Sequence, residues 1–139
     1  MVALAALAAG IAFDLSLKPR QASTTLPAGC VKPPNGFLII ASNTGYNDSV
    51  AHGVPSKPWP VINVTQGQMV SINVCNTDSF AHGFQIIHYH DGQIYAVGPG
   101  QVTHVQFVAN EAGTFQIYCA IPCEVHLYMQ SGQLVVAPS

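Results

Sequence analysis

The stretch Gly113 to Val136, GTFQIYCAIPCEVHLYMQSGQLVV, gathers Cys119, Cys123, His126 and Met129 into eleven residues. Two thiolates, an imidazole and a thioether form a soft donor set, which selects copper over magnesium, calcium or manganese. Zinc prefers thiolate and imidazole without a thioether, so Met129 argues against it. His82, in the segment FAHGF, offers a second imidazole. If its strand pairs with the one that ends at Cys119, five soft ligands converge at one pole. No Ser/His/Asp set or paired carboxylates point to hydrolysis, and a saturated metal leaves no position for a substrate. The chemistry these residues suit is electron relay, not catalysis by the chain alone.

Positioning such a set requires strands. After Asn35 the apolar pattern has period two, not 3.6. Strands are expected at Phe37–Ser42, Val61–Thr65, Met69–Asn76, Phe80–His88, Ile94–Val97, Val102–Val108, Thr114–Cys119 and Gln133–Ala137. Turn signals separate them: Thr65-Gln66-Gly67, Asp91-Gly92, Pro99-Gly100 and Asn110 to Gly113. Eight short strands at this spacing imply an all-β, antiparallel Greek-key sandwich or barrel over residues 36–139. Ahead of it, residues 1–17 read as a short N-terminal apolar helical anchor, because Val2 to Phe13 is unbroken apolar sequence with no basic flank before it. Residues 18–35 read as a linker, broken by Pro19, Pro27, Pro33 and Pro34.

From about Asn35 onward, with HGF around His82, the strand into Cys119, and C-x3-C followed by H-x2-M, the chain resembles a known family. It is similar to the cupredoxin-fold, dinuclear-copper CuA domain of subunit II of haem-copper oxidases, also found in nitrous-oxide reductase. The resemblance implies that Cys119 and Cys123 bridge two copper ions. It further implies that His82 and His126 each terminate one copper, with Met129 and the backbone carbonyl of Ile121 as weak axial ligands. Ile121 also stands where many oxidases carry a glutamate that reaches magnesium, so no magnesium ligand is expected from this chain. One feature departs from the family: only Glu124 and Val125 separate Cys123 from His126, where three residues are usual. The shortened C-x2-H-x2-M resembles the ligand loop of the mononuclear blue-copper protein amicyanin. That reading places one copper on His82, Cys123, His126 and Met129 and leaves Cys119 outside.

The partners implied are a haem-copper oxidase catalytic subunit and a redox donor, either cytochrome c or a small copper protein. The membrane is met through the N-terminus, with the copper domain on the extracytoplasmic side of the cell membrane. The alternatives are a free mononuclear carrier or an open-site cupredoxin acting on a small molecule. Composition agrees in what it excludes. Of 139 residues only 7% are charged, and four cations cannot neutralise a nucleic-acid backbone. No lysine or arginine follows Lys57. A chain so poor in ionisable groups suits an acidic exterior, or a surface covered by a partner or membrane.

Several residues carry weaker expectations. Cys30 and Cys75 remain once the metal pair is assigned; a disulfide between them would tie the linker to the Met69–Asn76 strand, and two free thiols are the other possibility. Asn76 is placed to orient the metal loop. A shell of Phe84, Phe115, Tyr118, Val125 and Leu127 would exclude water. Trp59 suits either electron entry or plain packing, and His88 with His90 either a second metal or an exposed pair. Asn47-Asp48-Ser49 and Asn63-Val64-Thr65 are glycosylation sequons if the chain is exported.

Overall fold

A computed structural model describes residues 23, 25–48 and 59–139. The expected N-terminal anchor lies outside these residues. Among them no helix is long and apolar enough to cross a membrane.

Nine strands form the domain: β1 (Phe37–Ser42), β2 (Gly45–Asn47), β3 (Val61–Thr65), β4 (Met69–Asn76), β5 (His82–Ile86), β6 (Tyr95–Val97), β7 (Val102–Val108), β8 (Gly113–Tyr118) and β9 (Gly132–Ala137). They make two sheets, ordered β2-β1-β4-β7 and β3-β9-β8-β5-β6. Period two does the sorting. In β4, Val70, Ile72 and Val74 are fully buried while Ser71 and Asn73 between them are only partly covered. Ile39, Ile62, Phe84, Ile86, Val105, Ile117 and Leu134 join them in the shared core. Each such side chain contributes about 1.5–3 kcal/mol by leaving water.

Two details correct the sequence reading. The sandwich is not wholly antiparallel, because β1 runs parallel to β4 and β3 parallel to β9. Alternation records which face of a strand is buried and not the direction of its neighbour, so it is silent on this. The strand expected at Phe80–His88 is also shorter at both ends. Asn76 holds the carbonyl of Phe80 out of the ladder, and His88 turns away with φ +78° as its N–H binds the Asp91 side chain at 2.8 Å. β2, three residues long, has too little pattern to read in advance.

The residues of the expected linker that are described have no regular structure, yet they are fastened to the sheet. Cys30 is bonded to Cys75 of β4, with Cα atoms 5.8 Å apart. Asn73 of β4 donates to the carbonyl of Val31 at 2.7 Å. The disulfide is therefore the alternative the fold adopts. Of the two sequons, Asn63 faces solvent on β3, whereas Asn47 is buried and bonded to Thr44. A glycan on Asn47 is incompatible with this packing.

Candidate metal centre

His82 opens β5, and Cys119 follows β8, its antiparallel neighbour through Gln85↔Tyr118 and Ile86↔Ile117. Both residues therefore lie at the same end of the sandwich. The loop leading to His82 is built by side chains. Asn76 donates to the carbonyls of Phe80 at 2.7 Å and Val97 at 2.8 Å, while its oxygen accepts the N–H of Asp78 at 2.7 Å. The fully buried Asp78 carboxylate then meets Nε2 of His82 at 2.8 Å and accepts the N–H of Ser79 at 2.6 Å. Asn76, expected to orient the metal loop, thus shapes the segment leading to His82.

The cysteine loop is equally pinned. The N–H of Cys119 donates to the carbonyl of Met129 at 2.9 Å, and Gln130 donates to the carbonyl of Cys119 at 3.0 Å. The Sγ of Cys119 accepts the N–H of Gly83 at 3.2 Å and lies 3.1 Å from the carbonyl oxygen of Ile121, to which its S–H donates. Gly83 is glycine for a steric reason. A Cβ there would stand 3.0 Å from the backbone nitrogen of Ile121 and 3.1 Å from that of Ala120. Only a bare backbone lets β5 and the cysteine loop approach so closely. A ring nitrogen of His82 and the sulfurs of Cys119 and Cys123 all lie within 4.8 Å of one another. His82, Cys119 and Met129 are wholly buried and Cys123 half-buried.

No family model matches the chain. Among solved structures it is similar to a copper nitrite reductase from Nitrosomonas europaea, with 19% identity and a TM-score of 0.59 over 75% of this chain and 41% of that one. A copper-containing nitrite reductase from Thermus scotoductus matches 75% of this chain and 28% of its own, at 25% identity and a TM-score of 0.56. The multicopper oxidase mgLAC matches with 21% identity and a TM-score of 0.58, over 75% of this chain and 39% of its own. The chain thus spans less than half the length of each. It has the cupredoxin fold.

Within that fold the six expected ligand positions are not equally placed. His82, Cys119 and Cys123 converge, and Ile121 presents its carbonyl to Cys119. His126 and Met129 sit on a 3-10 turn, His126–Met129, that folds back over the cysteine loop. Met129 is buried there. His126 lies outside the three-donor cluster, with Nε2 hydrogen-bonded to Gln130 at 2.9 Å and a buried Nδ1 that makes no hydrogen bond. Three mutually close soft donors and a nearby orphaned imidazole nitrogen are the chemistry a thiophilic metal selects, so the residues fit copper.

The expected apolar shell is only partly realised. Phe84 and Val125 are buried, but Leu127 is 77% exposed because the 3-10 turn points it outward. Phe115 lies toward the other end of β8, stacked on His88. Trp59 packs, partly buried, against the core beside Pro60, as a packing residue would. His88 and His90 do not form a pair. His88 is exposed and ion-paired with Glu111 at 3.0 Å, while His90 is buried among Phe84, Tyr95 and Phe107.

Tyr46, Asp78 and Gln130 also bond to this pole, and none was expected there from the sequence. The hydroxyl of Tyr46, on β2, donates to the carbonyl of Gly83 and contacts Cys119. Burial first, then the neighbouring Cys119 and Cys123, raise its pKa well above the usual 10, so it stays a neutral donor. Its strand was too short to notice. For Asp78, the signal was the Asn76-Thr77-Asp78 spacing, which suits a loop that bonds to itself.

Proposed function

We propose that this domain transfers electrons through copper held at the His82–Cys119–Cys123 pole, as a CuA-like centre in the electron-accepting subunit II of a haem-copper oxidase. The observation that carries the reading is the convergence of both thiols with His82 in one cluster, two of its members fully buried. Bound copper supplies a one-electron couple. In this reading Cys119, Cys123, His82 and His126 would hold two copper ions, with weaker donation from Met129 and the Ile121 carbonyl. The protein's contribution is rigidity and dryness. The Asn76 bonds, the Gly83 contact and the Tyr46 hydroxyl hold the donors in one arrangement, so the surroundings change little when an electron arrives. The Cys30–Cys75 disulfide supports an exported location, since such bonds persist in oxidising compartments. An N-terminal membrane tether, an extracytoplasmic position, an oxidase core as acceptor and a cytochrome c or small copper protein as donor complete the proposal.

A single-copper cupredoxin, held by His82, Cys123, His126 and Met129, is the second reading, favoured by the short Cys123–His126 spacing. Copper per chain and the electron paramagnetic resonance spectrum of the oxidised protein separate the two. Two coppers and a seven-line hyperfine pattern, lost in Cys119→Ser, are the expected result. One copper with four lines would overturn the dinuclear centre.

A further inference from the structure

His82 is held from behind by a carboxylate that is itself held. Nε2 of His82 and Oδ2 of Asp78 are 2.8 Å apart, and both side chains are fully buried. Asp78 cannot swing away: its N–H is bonded to Asn76, and its other carboxylate oxygen accepts the N–H of Ser79 at 2.6 Å and the Ser79 hydroxyl at 3.4 Å. Asn76 in turn is anchored to two carbonyls, one of them in β6. The result is a chain of contacts from β6 through Asn76 and Asp78 to the imidazole.

An imidazole that donates an Nε2–H hydrogen bond to a carboxylate keeps its lone pair on Nδ1. That tautomer offers Nδ1 to a metal, and the carboxylate makes the ring a stronger donor. A fixed negative charge in a poorly polarisable interior also favours the more positive, oxidised state of an adjacent ion. We propose that Asp78 is a positioning residue for His82, locking the ring in the Nε2–H tautomer and lowering the reduction potential of the metal it binds. The second half rests on the copper reading above; the first does not.

The two halves are tested on the full chain. Nitrogen-15 spectra of the metal-free protein read the His82 tautomer directly. Wild type should show the proton on Nε2, and Asp78→Ala should release the ring to a mixture. Asp78→Asn keeps an acceptor for Nε2–H while removing the charge, so it should retain the tautomer. Loaded with copper, Asp78→Asn should lose at least tenfold in its preference for the oxidised ion, a positive shift of about 59 mV for a one-electron couple. Copper affinity of Asp78→Ala should fall about 10–100-fold. A wild-type His82 protonated on Nδ1, or an unchanged tautomer in a folded Asp78→Ala, overturns the lock. A wild-type potential in Asp78→Asn overturns the charge effect. Should wild type take up no copper, the electron-transfer reading fails and with it the lowered potential, while the tautomer comparison still decides the lock.

Discussion

His88 and His90 stand two residues apart and answer to different physics. His88 touches Glu111 directly at 3.0 Å, but on the exposed surface, where such a contact is worth little. His90 instead accepts the N–H of Ile86 on its Nδ1 at 3.3 Å, with its carbonyl bonded to Gln85 and aromatic rings around it. Burial lowers its pKa to about 4, from 6.5 for an unhindered histidine. Below pH 6.5 the unfolded chain therefore takes up a proton that the folded chain refuses. The stability held at neutral pH should fall as pH drops from about 6.5 to about 4, and flatten below that. The full loss should be on the order of 3 kcal/mol. Urea unfolding at pH 7 and pH 4.5 checks this, and His90→Gln should flatten the slope. A histidine's identity alone could not separate these two fates, because burial is decided by where β5 stops.

At the scale of elements, the centre depends on how closely β5 approaches the loop after β8. Gly83→Ala places a methyl group 3.0 Å from the Ile121 side chain and, at 3.0 and 3.1 Å, against the backbone nitrogens of Ile121 and Ala120, which cannot rotate aside. The expected cost is about 1–3 kcal/mol in thermal or denaturant unfolding. The His82–Cys119 spacing should widen too, which copper titration would read as weakened affinity. Much of this arrangement was legible beforehand. Alternation located eight of the nine strands, and the HGF segment with the strand into Cys119 indicated which two would bring donors together. The position of His126 was less legible, because a 3-10 turn with only two residues after Cys123 is governed by hydrogen bonds to Gln130 and Cys123, not by any repeating pattern. The parallel pairings of β1 with β4 and β3 with β9 left no trace in alternation for the same reason: a crossover between sheets is a property of the chain path.

Across the whole molecule, the Cys30–Cys75 bond encloses β1, β2, β3 and nearly all of β4 within a covalent loop of sequence separation 45. Setting aside the metal pair left Cys30 and Cys75 in the sequence as a disulfide or two free thiols, and only the fold, which brings their Cα atoms to 5.8 Å, decides between them. The consequence of the bond is mechanical. Tension applied to the chain ahead of Cys30 passes through sulfur into the end of β4, a strand with neighbours on both sides, and bypasses everything between. A pulling experiment on the oxidised domain should show a contour length shorter by roughly 150 Å than after reduction, at about 3.3–3.6 Å per hidden residue. The segment from residue 31 to 74 would feel no tug at all, so a pull on the chain ahead of Cys30 would leave β1, β2 and β3 slack while the strands after β4 carry the load.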